Sequence, residues 1–229
     1  MSLDHLHVAT RESNEPCLEP VIRDAGGTRL HPLLARRHSP RAFSPAPIAD
    51  DALLRLLQAA RWAPSSRNEQ PWEFVIVRRG TAAFTDAVEV LAPPNRVWAQ
   101  HAGLLLLGVA RVSLPDGSPN RYAHYDLGQA AAQLALQATA EGLRLHPMGG
   151  FDRVRARELF ALPDSHEPVV MIAVGHPADA SGLDERLQAM EQAPRTRRPL
   201  QAFAFEGRFG QPLTLGAPSP GRLSARSLP

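Results

Sequence analysis

Residues 126–150 read DLGQAAAQLALQATAEGLRLHPMGG. From Asp126 to Glu141 the stretch holds a helical period without a proline. One stripe carries Gly128, Ala131, Ala132, Ala135, Ala138 and Thr139, all small. Small residues let a helix backbone approach its neighbour closely, and that neighbour is either a sheet or a second subunit. Gly142 suits the C′ position, where a left-handed residue ends a helix. Leu143–His146 then predicts a short strand, Gly149-Gly150 a loop, and Asp152 the cap of a helix reaching about Ala161.

Working outward, a helix is expected from Asp50, with Leu53, Leu54, Leu56, Leu57 and Ala60 on its apolar face and Pro64 closing it. A strand follows at Glu73–Val77. A helix over Ala82–Val90 is expected to stop at Pro93-Pro94. Leu104–Ala110 and Pro168–Val174 are continuous apolar runs, which read as strands buried on both faces. Between them, Pro115-Asp116-Gly117 predicts a turn. The order α-β-α-β-α-β-α-β suits a mixed three-layer α+β sandwich, and by spacing alone a doubly wound sheet as well. One domain is expected over 31–209, with an extension at 1–30 and a Gly/Pro/Ser-rich tail at 210–229.

The 229 residues carry 25 basic and 23 acidic side chains, and every basic one is Arg. Without lysine, neither a Schiff base nor a P-loop lysine is possible. An anion site must instead be built from guanidinium forks, which match phosphate oxygens in pairs. The near balance of charge argues against a nucleic-acid binder. A single cysteine excludes an intrachain disulfide and thiolate metal clusters. The N-terminal residues lack the apolar core of a signal peptide, and no run reaches the ~20 apolar residues of a membrane span, so a cytoplasmic protein is expected. His5-Leu6-His7, in the N-terminal extension, reads as a surface pair without a metal-ligand spacing around it, and no metal is expected.

Four segments carry polar chemistry. Arg36-Arg37-His38-Ser39-Pro40-Arg41 is either a solvated basic patch or an anion clamp. Pro64-Ser65-Ser66-Arg67-Asn68-Glu69-Gln70-Pro71-Trp72 is a loop of turn formers, or a set of donors and acceptors for a heterocycle edge. Met148-Gly149-Gly150-Phe151-Asp152 is a tight turn, or bare backbone for a flat ligand or phosphate. Arg195-Thr196-Arg197-Arg198-Pro199 repeats the guanidinium theme. No nucleophile–base motif accompanies them, which fits a cofactor that performs the chemistry itself.

Together with Glu141-Gly142-Leu143 and Val174-Gly175-His176-Pro177, these segments resemble, in order and spacing, the FMN-dependent nitroreductase family over about Leu33 to Leu200. The resemblance implies a three-layer α-β-α sandwich with a mostly antiparallel sheet. It implies an intertwined homodimer with FMN at the subunit interface. Arg37, Arg195 and Arg197 would hold the FMN phosphate, with His38 and Ser39 beside them. Arg41 would lie at the pyrimidine edge, where a cation favours the reduced, negatively charged flavin. Pro64, Ser65, Ser66, Asn68 and Gln70 would border the ring from the partner subunit. Met148, Gly149 and Gly150 would present backbone near N5, although some relatives carry Glu at the Gly149 position. The region between Val77 and Tyr125 matches least. There Trp98, Tyr122 and Tyr125 are read as core aromatics or as part of a lid. The implied activity is hydride uptake from NAD(P)H and ping-pong reduction of a small nitroaromatic, quinone or activated alkene. The alternative is a non-catalytic flavin-binding or ligand-sensing protein of the same fold.

Overall fold

The computed structural model describes residues 30–215. The N-terminal extension, including His5-Leu6-His7, lies almost wholly outside the described residues, as does most of the tail. The described elements run α1 (Pro32–Arg36), β1 (Phe43–Ser44), α2 (Asp50–Arg61), β2 (Trp72–Arg78), α3 (Ala82–Glu89), α4 (Pro93–Ala99), β3 (Leu104–Arg111), α5 (Ala123–Ala140), β4 (Arg144–Met148), α6 (Arg153–Leu159), β5 (His166–Pro177) and α7 (Glu185–Gln192).

Every strand pairing is antiparallel. The sheet order is β1-β5-β3-β2, and β4 also pairs with β5. β1 takes the Pro177 end of β5, while β4 takes residues 171–175, so both lie on the edge of β5 away from β3. Strand alternation divides β3 between two cores. Leu105, Leu107 and Val109 face one cluster with Phe84, Ala87, Trp98 and Leu187. Leu104 and Leu106 face the other, with Leu53, Leu56, Leu134 and Ala138. Three layers result, with α2 and α5 on one face and α3, α4 and α7 on the other.

The element ends depart from expectation for identifiable reasons. Pro93 and Pro94 do not stop a helix; they begin α4. Proline in the first turn loses no intrahelical bond, because those N–H groups have no helical partner. Ala49, not Asp50, is the N-cap of α2, and Asp50 and Asp51 lie in its first turn, where the helix dipole favours them. The long helix starts at Ala123, three residues before Asp126. Gly142 does follow it in the left-handed region, at φ 73°. The small stripe divides: Ala135, Ala138 and Thr139 are buried, whereas Gly128 and Ala132 are exposed. Trp98 is core, but Tyr122 and Tyr125 are 57% and 69% exposed.

A ring stack ties the α4 layer to β4. Phe43 and Trp98 have centroids 6.0 Å apart, and Trp98 and His146 4.5 Å. His146 Nδ1 is 2.8 Å from the Pro40 carbonyl, which fixes the segment following α1. Burial lowers the His146 pKa to about 4, helped by the charge of Arg41 and opposed by the Pro40 hydrogen bond. The neutral ring therefore donates Nδ1–H to Pro40.

Two predictions follow from this packing. A Cβ on Gly103 would sit 2.8 Å from the Ala46 carbonyl oxygen and 3.0 Å from Ile48 Cγ1. Gly103→Ala should cost about 1–3 kcal/mol in chemical denaturation. His146 binds its proton more weakly folded than unfolded, so acid favours the unfolded chain. Its contribution is complete above pH ~6.5 and is lost between there and about pH 4, up to ~3 kcal/mol in all. Stability measured against pH should lose this slope in His146→Gln; identical slopes in the two proteins would refute the assignment.

Candidate functional site

Residues far apart in sequence meet at the end of α1. Arg195 donates from Nη2 to the Ala35 carbonyl (2.8 Å) and from Nη1 to the Arg37 carbonyl (3.1 Å). These are among the last carbonyls of the short helix, which attract a cation. Arg37 Nη1 is 3.4 Å from Ser39 Oγ. His38 is turned back, with Nδ1 3.0 Å from the Arg36 carbonyl. Arg197 donates to the Thr196 carbonyl (2.7 Å).

Among the described residues no carboxylate pairs with Arg37, Arg195 or Arg197. The Arg37 pKa is lowered, first by burial and then by the charges of Arg197 and Arg195. Gathering like charges costs energy that a bound anion would recover. Eight guanidinium–carboxylate or His–carboxylate contacts occur elsewhere among the described residues, so acids are not scarce.

Arg41 lies two residues beyond Ser39 and lines a cleft between α4 and α7 of about 110 Å³, with Asn95, Trp98, Asp184, Arg186 and Leu187. Its backbone N–H donates to Glu191 Oε1 at 2.8 Å, and its Nη1 is 3.6 Å from the same oxygen. Asn95 Nδ2 donates to the Gly150 carbonyl (3.0 Å), which the Ala92 N–H also reaches (2.9 Å). This fixes the Gly149-Gly150 loop against the first turn of α4. A Cβ on Gly149 would meet nothing within 4 Å, leaving room for a flat group. Met148 turns its side chain into the core, so only its backbone faces the loop. The sequence reading missed Asn95 and Glu191. Their partners are 55 and 150 residues away, and neither stands in a recognisable motif.

The Pro64–Gln70 loop is elsewhere. It links α2 to β2, the edge strand farthest from β1 and β4. Three strand spacings, about 14 Å, separate β4 from β2. Ser66 N–H donates to Oδ2 of the buried Asp126 (3.1 Å), and Ser65 Oγ accepts from the Gln70 N–H (3.0 Å). Arg111 Nη2 donates to the Glu69 carbonyl (2.9 Å). These bonds hold Arg67, Asn68 and Gln70 at φ of 54°, 58° and 47°. Such a run of left-handed, non-glycine residues costs roughly 1 kcal/mol or more at each position. Pro64, Asn68 and Gln70 stay exposed. Within one chain the two halves of the expected site thus lie at opposite edges of the sheet.

Residues 34–176 match the model of the nitroreductase family. A crystal structure described as an oxidoreductase containing FMN is 36% identical, with a TM-score of 0.78, and the match covers 82% of this chain and 96% of that one. A 15.4 kDa protein of Mycolicibacterium smegmatis, itself uncharacterized, is 36% identical over 61% of this chain and 99% of its own length. A Thermus thermophilus protein named NADH dehydrogenase is 29% identical over 66% of this chain and 88% of its own. The match to the family model covers more than half of the sequence and sits on the same sheet and helices described above: this chain belongs to the nitroreductase family.

Proposed function

We propose that the protein is an FMN-dependent oxidoreductase. It takes hydride from NAD(P)H and passes electrons to a small nitroaromatic, quinone or activated alkene in ping-pong order. The observation that carries this reading is the cluster of Arg37, Arg195 and Arg197 without a carboxylate partner among the described residues. A dianionic phosphate is the ligand such forks fit best.

The chain's own residues divide the work. Arg37, Arg195 and Arg197 bind the phosphate, and Ser39 adds a hydroxyl donor. The open face of Gly149 leaves space for the edge of a flat ring, with Asn95 holding that loop in place. Arg41 supplies a cation to the pyrimidine edge. FMN, when bound, supplies the hydride chemistry. The similar FMN-containing oxidoreductase and the relative named NADH dehydrogenase support the cofactor and the donor.

A homodimer completes the site in this reading. The Pro64–Gln70 loop lies at the wrong edge of its own sheet, so a second copy must bring it to the Arg cluster. Tyr125, Gly128 and Ala132 form an exposed stripe on α5 at helical spacing, suited to that contact. Ala132→Arg should convert the protein to a ~25 kDa monomer in sedimentation and weaken FMN binding with it. A variant that stays dimeric and flavin-loaded would count against this interface.

The phosphate assignment is tested by comparing two flavins. A hydrogen bond to a charged group contributes about 1.5–3 kcal/mol. Arg37→Ala or Arg197→Ala should therefore weaken FMN binding roughly 10- to 150-fold, at 1.4 kcal/mol per decade. The double variant should depart from additivity by more than ~0.5 kcal/mol, because both forks share one ligand group. Riboflavin, which lacks the phosphate, should bind all variants nearly as it binds the wild type. Parallel losses for both flavins would refute the assignment.

A further inference from the structure

Helix α7 looks incidental: eight residues, mostly exposed, with one buried side chain, Leu187. It is nevertheless held firmly at its N-terminal end. Asp184 accepts the Leu187 N–H at 2.8 Å, and Gln188 Nε2 donates to the Leu183 carbonyl at 2.7 Å. Leu187 joins the core cluster of Trp98 and Leu105. Glu191 stands one turn further on, at i+4 from Leu187, and therefore on the same face. That placement delivers a carboxylate to Arg41 from 150 residues away.

The two contacts of Glu191 differ in kind. Its Oε1 accepts the Arg41 backbone N–H at 2.8 Å, a firm hydrogen bond. The guanidinium is 3.6 Å from the same oxygen, too long for a hydrogen bond and held by charge. The side chains are only 13% and 21% exposed, so water screens the pair weakly. Arg41 is thus anchored through its backbone while its cationic end shares its field with a carboxylate. The Arg37, Arg195 and Arg197 cluster has no such counter-charge among the described residues.

We propose that Glu191 is a positioning residue that sets how much positive charge Arg41 presents to the pyrimidine edge of the bound flavin. The inference rests on the reading of Arg41 given under Proposed function. Reduction adds negative charge at that edge. A nearby cation favours the reduced form, and a carboxylate paired with the cation opposes it. Glu191 therefore holds the reduction potential below the value Arg41 alone would set, and it keeps the Arg41 backbone in register with Ser39 and Arg37.

Glu191→Gln keeps an acceptor for the Arg41 N–H and removes the charge. In the FMN-loaded protein, dye-equilibrium titration should show the reduced-to-oxidised ratio at a fixed potential rising about tenfold. For a two-electron couple that is a midpoint about 30 mV higher. Arg41→Gln should move the midpoint the other way. In the Arg41→Gln background, Glu191→Gln should have no effect. If Arg41→Gln lowers the midpoint and Glu191→Gln leaves it unchanged, the role of Glu191 is overturned and the placement of Arg41 stands. If neither substitution moves it, the Arg41 placement fails, and the proposal with it. An equal shift from Glu191→Gln in both backgrounds also overturns the proposal, because the effect would not pass through Arg41. If Glu191→Gln does not retain FMN, Glu191→Asp takes its place: it keeps the charge but shortens its reach to Arg41, so a rise in midpoint of the same sign supports the proposal and no change overturns it.

Discussion

Everything in the fold leans on a strand pair with no solvent face. Leu104, Leu105, Leu106 and Leu107 of β3 are fully buried, as are Met171, Ile172, Ala173 and Val174 of β5. Each fully buried large side chain contributes about 2 kcal/mol of transfer energy. A strand buried on both sides must be covered twice, and this single demand places α2 and α5 on one face and α3, α4 and α7 on the other. Register follows from the same constraint. A slip of one residue would exchange the Leu105 and Leu106 sets between cores shaped for different partners.

The candidate site is positioned by what the sheet does at its β4 edge. His146 pairs opposite Ala173 on β5 and reaches the Pro40 carbonyl, so the sheet fixes the backbone between Arg37 and Arg41 through one ring. Trp98 packs on that ring and also belongs to α4, whose first turn carries Asn95. The Arg-bearing segment and the Gly149-Gly150 loop are thus oriented by the same stack. A neutral imidazole suits this position: a buried cation beside Arg41 would add repulsion where the site already concentrates positive charge.

The sequence disclosed most where chemistry or burial leaves few choices. Leu104–Ala110 reads as a buried strand because a seven-residue apolar run with no polar face has few other fates. The meeting of Arg37 with Arg195 and Arg197 was foreseeable because, without lysine, guanidiniums are the only permanent cations that can be brought together. The start of α4 was misread, because a Pro-Pro pair looks like a helix stop yet fits the first turn of a new helix equally well. α7 left no trace, since it is short and largely polar, with Leu187 its one buried side chain. Asn95 and Glu191 were invisible for a different reason. Their meaning lies entirely in contacts across 55 and 150 residues, and no local pattern encodes them.

The distribution of counter-charge bears on how such a site divides affinity from reactivity. If the Arg37, Arg195 and Arg197 cluster holds a phosphate as proposed, three guanidiniums without carboxylate partners among the described residues make ligand binding the step that relieves their repulsion, so their energy goes into retention. At the Arg41 end the cation already has a partner, so a ligand there gains less from binding. Under the proposed placement of the flavin, what changes instead is the balance between two charge states of that ligand. A cation that must respond to a ligand's charge works best when its field is shared and adjustable, whereas a cation that must retain a ligand works best when nothing competes for it. Arginine serves both ends because its five donors and permanent charge are fixed, which leaves the neighbouring carboxylate as the variable. Because that carboxylate, Glu191, comes from α7, a peripheral helix with one core residue, the proposed adjustment would be separate from the sheet that holds the fold.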